Sequence, residues 1–326
     1  GTDFRSNVTL SITGADPATI AELKTINGDT IGAVVLNAVT NSAAYNDTAA
    51  NLAAAFDGIT TSTATLTITP GTLASTVAEL MTINAATSGN VVLNPETNAA
   101  ALNGTAADLI SAFTGITSHT GGLTVTDTGP VSVADLNEIN TFTSGTTTAS
   151  ATSLITGAAT DILAAIGAVA LASDVTLTIT GVDEVTINDL QTMNAATSGA
   201  VVLNAATNAA AFTDTAANLI SAFTGITSHT GGLTVSDTGS VSAANLNTIL
   251  NDGDFVTVIG ENGDDLSGLV GVDDIEINNN ASLTVTIAQN ASRSHIVCLL
   301  SLSLQMPLCT MSLSLSGMQT LGLCLK

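Results

Sequence analysis

An α/β solenoid of repeating strand–helix coils with parallel strands is the fold this sequence predicts, at about 55–57 residues per double repeat. Three observations predict it. The run ISAFTGITSHTGGLTV at 110–125 returns unchanged at 220–235, and VVLN recurs at 34–37, 91–94 and 201–204. Alternating β-branched strands precede capped amphipathic helices in successive copies. The core material is small: Lys+Arg 4, Asp+Glu 27, 45% hydrophobic residues, no Trp and one Tyr, so thin regular coils suit it better than a thick globular core.

Two kinds of half-unit alternate. The first opens on a period-two strand: Thr65–Thr69, Leu123–Thr126, Thr176–Thr180 and Leu233–Ser236. A capping box should follow, in which a hydroxyl accepts a free helix N–H and a carboxylate three residues on returns the bond. Thr19 with Glu22, Thr76 with Glu79, Ser132 with Asp135 and Thr186 with Asp189 have that spacing. Apolar stripes come next, such as Val77, Leu80 and Ile83, or Ile187, Leu190 and Met193. The second half-unit opens on Val-Val-Leu-Asn. Its helix carries Leu52, Phe56 and Ile59, then Leu109, Phe113 and Ile116, then Leu219, Phe223 and Ile226. Gly58, Gly115 and Gly225 are placed as left-handed stops, with Gly167 at the equivalent point of a degenerate copy. Strands are therefore expected near 8–13, 33–38, 64–69, 90–95, 122–127, 174–180, 200–205 and 232–237, each followed by a helix. Helical crossovers imply parallel pairing. Near-identical copies with uniform loops favour an open array over a closed barrel.

Three regions follow. Residues 1–250 form the β-α repeat solenoid. Residues 251–291 form a β-rich module or the last coils, with closely spaced strands at 256–258, 274–277 and 283–286. Residues 292–326 are anomalous, rich in Leu, Ser, Met and Cys and free of acids. Two readings fit that tail: a hydrophobic strand or membrane-seeking tail, or repeat sequence read out of frame. In the second, each codon is read from its third base. Met311-Ser312 then becomes valine, Met306-Pro307 alanine, and Leu-Ser alternation becomes Thr-Val. The start, Gly1-Thr2-Asp3-Phe4, is not a native one, and the repeats are expected to continue upstream.

The formal net charge of -23 repels nucleic acid and anionic lipid, which need a cationic surface. No apolar run of about 18 residues occurs within 1–290, so no membrane span is expected there. Cys298, Cys309 and Cys324 all lie in the tail; a cysteine-free body suits secretion through an oxidising space.

Four sets of residues are candidates for chemistry. His119 and His229 share a Thr-Ser-His-Thr-Gly-Gly loop, and with hydroxyls and Asp127 or Asp237 they could suggest a hydrolytic triad. A site copied along an array is atypical of nucleophilic catalysis, so they are read as repeated surface-loop residues and no enzyme is expected. Asp252, Asp254, Asp264 and Asp265 set hard oxygens around glycines and are candidate calcium ligands, although they match no complete calcium-loop motif. Asn37, Asn94 and Asn204 are read as an internal ladder bonding backbone of the next coil. The Thr-x-Thr faces at 65–69 and 176–180 could present hydroxyls to ice or a crystal surface, but Val-Val-Leu-Asn strands interrupt them.

The runs Leu123–Asn140 and 233–249, with Asn-Ala-Ala-Thr-Ser-Gly at 84–89 and 194–199, resemble repeats of very large secreted bacterial surface proteins, those of marine cyanobacteria especially. The resemblance spans roughly residues 8–250 and rests on pattern and composition. It implies an extracellular adhesin, surface-layer, matrix or filament protein that associates with itself or with a cell envelope, and it brings no catalytic residues.

Overall fold

The computed structural model describes residues 7–59, 61–71, 73–116, 118–237 and 241–250, and beyond them five strands at 255–260, 274–277, 284–285, 295–297 and 312–313. The chain divides into two compact units. Unit 1 comprises 1–155 with 164–172, and unit 2 comprises 156–163 with 173–326. The architecture is mixed α/β. Every described strand pairing is parallel, and no described sheet closes into a barrel.

Unit 1 begins with β1 (Leu10–Ser11), α1 (Ile20–Gly28) and β2 (Val34–Val35). A short helix α2 (Ala38–Ser42) leads to β3 (Ala44–Asp47) and α3 (Ala49–Phe56). The next copy repeats this order as β4 (Thr65–Ile68), α4 (Val77–Ala86), β5 (Val91–Val92), α5 (Pro95–Ala99), β6 (Leu102–Gly104) and α6 (Ala106–Phe113). The degenerate copy follows with β7 (Leu123–Val125), β8 (Pro130–Ser132), α7 (Val133–Thr141), β9 (Thr147–Ala149), β10 (Leu154–Gly157) and α8 (Ala159–Ala168), whose residues are divided between the units, and β11 (Val169–Leu171). Unit 2 then carries β12 (Thr176–Ile179), α9 (Ile187–Ala196), β13 (Val201–Val202), α10 (Ala205–Ala209), β14 (Phe212–Asp214), α11 (Ala216–Phe223), β15 (Gly232–Val235) and α12 (Ala243–Leu250).

Strand partners in this region lie 21 to 25 residues apart, as from Ala44 to Thr65 and from Leu66 to Val91. Each such strand with its crossover to the next is a coil. In unit 1, β1 pairs with β2, β3 with β4 and β4 with β5, while β6, β7, β9 and β11 form one sheet. In unit 2, β12 pairs with β13, and β14 with β15. Beyond them β16 (Phe255–Gly260), β17 (Asp274–Ile277) and β19 (His295–Val297) extend the β15 edge, and β18 (Thr284–Val285) pairs with β20 (Ser312–Leu313).

The helices form a second layer. In unit 1, α1 packs on α3, α3 on α4, α4 on α6 and α6 on α7; in unit 2, α9 packs on α11 and α11 on α12. The predicted stripes supply the core between the layers. Leu23, Leu52, Leu80, Ile83, Leu109, Leu136, Leu190, Met193 and Leu219 are wholly buried, and Leu66 and Ile68 meet them from the inward face of β4. Thr65 and Thr67 point the other way, as the period of two requires.

Local chemistry sets the element ends. Thr19, Thr76 and Thr186 form capping boxes with Glu22, Glu79 and Asp189. Ser132 does not: it closes β8, and its hydroxyl accepts from Ala134 N at 3.1 Å instead. Gly58, Gly115 and Gly225 take positive φ of 70°, 84° and 89°, where a Cβ would be strained. Gly167 is not a stop; it lies inside α8.

All eight expected strands are present. The second half-unit, expected to be one strand and one helix, is instead split. Its Val-Val strand ends at a five-residue helix (α2, α5, α10), and a further strand (β3, β6, β14) precedes the long helix.

Candidate functional site

The asparagine at the end of each Val-Val-Leu-Asn strand does two jobs. Its Oδ1 caps the five-residue helix, accepting from Thr40, Thr97 and Thr207 N–H at 2.8, 2.9 and 2.8 Å. Its Nδ2 donates to Gly14 O (2.6 Å), Thr69 O (3.2 Å) and Asp183 O (2.8 Å) for Asn37, Asn94 and Asn204. The bond thus reaches the preceding coil, not the next. The threonine three residues on completes the joint. Thr40, Thr97 and Thr207 are wholly buried, and their hydroxyls accept from Ala18, Ser75 and Val185 N–H at 2.9, 2.9 and 3.1 Å, again one coil back. Each Asn-x-x-Thr unit satisfies backbone that a coil corner would otherwise bury unpaired.

Two further stitches recur. Thr30, Thr87, Thr143 and Thr197 each donate to a carbonyl of the preceding coil (Val8, Ala64, Gly121, Val175), at 2.6 Å in every case. The same hydroxyls accept from the glycine N–H two residues later. Asn27 and Asn84, in the last turns of α1 and α4, donate to carbonyls at the end of the neighbouring helix: Ala54 and Asp57, then Ser111 and Thr114. Asn194 of α9 does the same with Ser221 and Ala222 of α11. These bonds fill the open C-terminal carbonyls of helices that lack a basic last turn.

The histidines are not surface residues. His119 is 1% exposed and His229 4%. Each imidazole packs on the last phenylalanine of the preceding long helix, at 4.9 Å between ring centroids for His119 and Phe113, and 4.7 Å for His229 and Phe223. His229 Nε2 lies 3.0 Å from Ala210 O and its ring 5.5 Å from Phe212. Volume explains the placement. The equivalent of His119 in the first copy is buried Ser62, and there Tyr45 fills the space against Phe56 at 5.2 Å. Beside Leu102 the ring comes from the loop, and beside Phe212 strand and loop both supply one.

Asp127 and Asp237, the imagined acids of a triad, serve helix N-termini. Asp127 Oδ2 accepts from Ala106 N–H at 2.7 Å and Asp237 Oδ2 from Ala216 N–H at 2.6 Å, at the N-terminal ends of α6 and α11. A carboxylate is favoured there by the helix dipole.

The threonine faces are mixed. Thr67 stands in register between Asn46 and Val92, and Thr178 beside Val202. Thr213, Thr234 and Thr257 do align across β14, β15 and β16. Asp252, Asp254, Asp264 and Asp265 lie outside the described residues, as does the tail from 292 apart from β19 and β20. Among the described residues, no group of three or more His, Cys, Asp or Glu side chains could hold a metal ion, and no helix is long and apolar enough to cross a membrane.

One surface departs from its repeats. At the N-terminal face of unit 1, Leu10, Ile12 and Ile26 are only half-buried, whereas Leu66, Ile68 and Ile83, one repeat later, are buried. Here α1 borders a groove of about 720 Å3 lined by Ile12, Pro17, Ala18, Ala21, Thr25 and Ile26. The corresponding side of α4 is covered by α3.

No family model, curated protein or solved structure matches the chain.

Proposed function

We propose that this is a structural extracellular repeat protein: a solenoid of βα coils that associates with itself, or with a cell surface, through the ends of its coil stack, and that performs no catalysis. The side-chain bonds that run from coil to coil carry the reading. Asn37, Asn94 and Asn204 each donate to a carbonyl one coil back, and the buried Thr40, Thr97 and Thr207 accept from backbone one coil back. Coils bonded in series can continue into like coils of another chain, and a head-to-tail contact without a closing rotation propagates into filaments. The net charge of -23 would keep lateral surfaces apart.

Sedimentation velocity over a hundredfold concentration range tests this. The proposal expects species that grow with concentration, and it expects Ile26→Asp to abolish the growth, because a carboxylate cannot be buried unpaired in the groove. A wild-type chain that stays monomeric throughout, or assembly unaffected by Ile26→Asp, would count against it. The alternative role, binding ice or a crystal face, draws its support from the aligned Thr213, Thr234 and Thr257.

A further inference from the structure

We propose that His119 is an acid-sensitive latch between successive coils of unit 1, packed as a neutral ring and released by protonation, which opens the turn at 118–122. The ring is 1% exposed, lies 4.9 Å from Phe113, and neither Nδ1 nor Nε2 has a hydrogen-bond partner. Its backbone stands at the centre of a three-coil joint. Thr120 and Gly121 N–H donate to Asn98 O on the coil before, at 2.8 and 3.0 Å. His119 O accepts from Ser144 N–H on the coil after, at 3.0 Å, and Gly121 O accepts from the Thr143 hydroxyl at 2.6 Å. A cation placed in this joint has lost its water and gained no acceptor, so the neutral form is preferred.

The charged side chains on the surrounding elements are Glu96 on α5, Asp108 on α6, Asp127 after β7, and Asp135 and Glu138 on α7. None offsets the cost: burial is the one cause acting on the imidazole, and it lowers the pKa from the ordinary 6.5. The sign follows. The opened turn binds a proton more readily than the closed one. Closure is therefore complete above the ordinary histidine value and weakens as pH falls below it. One linked proton changes the opening constant by about tenfold per pH unit between the two values.

The His229 loop is an internal control. The 16 residues around His229 are the same, but its Nε2 lies within hydrogen-bonding distance of Ala210 O, and Phe212 stands where the His119 copy has Leu102. The loop sequence is thus insufficient; the surroundings make the latch.

The test uses the full chain. Histidine ring resonances are titrated by NMR, and hydrogen exchange at the Ser144 amide is followed from pH 7.5 to pH 5 with the intrinsic rate divided out. The expected result is a His119 resonance that titrates below 6.5 while Ser144 exchange accelerates by about tenfold per pH unit. His119→Phe fills the space without a titrating nitrogen and should abolish that acceleration; His119→Gln, which keeps a polar but uncharged side chain, should do the same if the first variant does not fold. A His119 resonance at the ordinary value with unchanged Ser144 protection would overturn the proposal, as would pH-dependent exchange persisting in either folded variant.

Discussion

Replacing Phe113 by alanine is expected to destabilise unit 1 by about 3–5 kcal/mol, the range for truncating a fully buried aromatic. The ring is wholly buried and meets His119 at 4.9 Å and Phe142 at 6.3 Å. It therefore joins α6 to two successive coils, and its removal leaves a cavity that rigid backbone stitches on both sides prevent from collapsing. The measurement is urea denaturation followed by fluorescence of Tyr45, the chain's single tyrosine, which lies in unit 1. The midpoint should fall at unchanged slope. A loss below about 1 kcal/mol would mean that the site relaxes, and that the joint is softer than its bonding implies.

Gly121→Ala should be comparably damaging for a different reason. A Cβ at 121 would meet Ala100 O at 1.8 Å and Ala100 C at 2.5 Å. Both are backbone atoms fixed by the coil register, so no rotamer change relieves the overlap, and the cost should reach or pass the upper end of the about 1–3 kcal/mol typical of overpacking. Gly28→Ala is the natural control. It ends α1 with nothing within 4 Å of its added Cβ, so it should be neutral or stabilising by up to about 1 kcal/mol. The same denaturation experiment reads both. Equal effects would show that coil spacing is looser than these distances.

The pattern of the chain made much of this fold legible. The Thr-Leu-Thr-Ile strands, the Leu and Phe stripes, three of four capping boxes and three glycine stops follow from local rules that act within five residues, so they could be read from single segments. What escaped was set by neighbouring coils. Strands β3, β6 and β14 are three or four residues long and place one large side chain inward (Tyr45, Leu102, Phe212), too little for a period of two to show. The short helices between them exist because Asn37, Asn94 and Asn204 cap forward while bonding backward, a double role that only adjacent coils reveal. Even so, the recurring Asn-x-x-Thr spacing was a usable signal.

The histidines show the same limit. Hydrophilic company in Thr-Ser-His-Thr suggested a surface loop, but the buried positions alternate through it. Comparing the first two copies shows a change of partner, Tyr45 with Ser62 and Leu102 with His119, although Phe212 with His229 does not follow it. Asp127 and Asp237 looked like acids for chemistry because the helices whose N-terminal ends they serve lie a coil away in sequence.

Register is the claim on which all of these arguments stand: coils of unit 1 stack in parallel, one coil length apart, with Thr124 opposite Thr148. Cysteines introduced at those two positions, in a chain whose Cys298, Cys309 and Cys324 are replaced by serine, measure it most directly. Partners in adjacent strands lie about 4.8 Å apart, within the span a disulfide bridges. The account predicts rapid intramolecular crosslinking of the 124/148 pair under mild oxidation. A 124/146 pair, offset by two residues, should crosslink far more slowly. Failure of the first pair to crosslink, or equal rates for both, would contradict it.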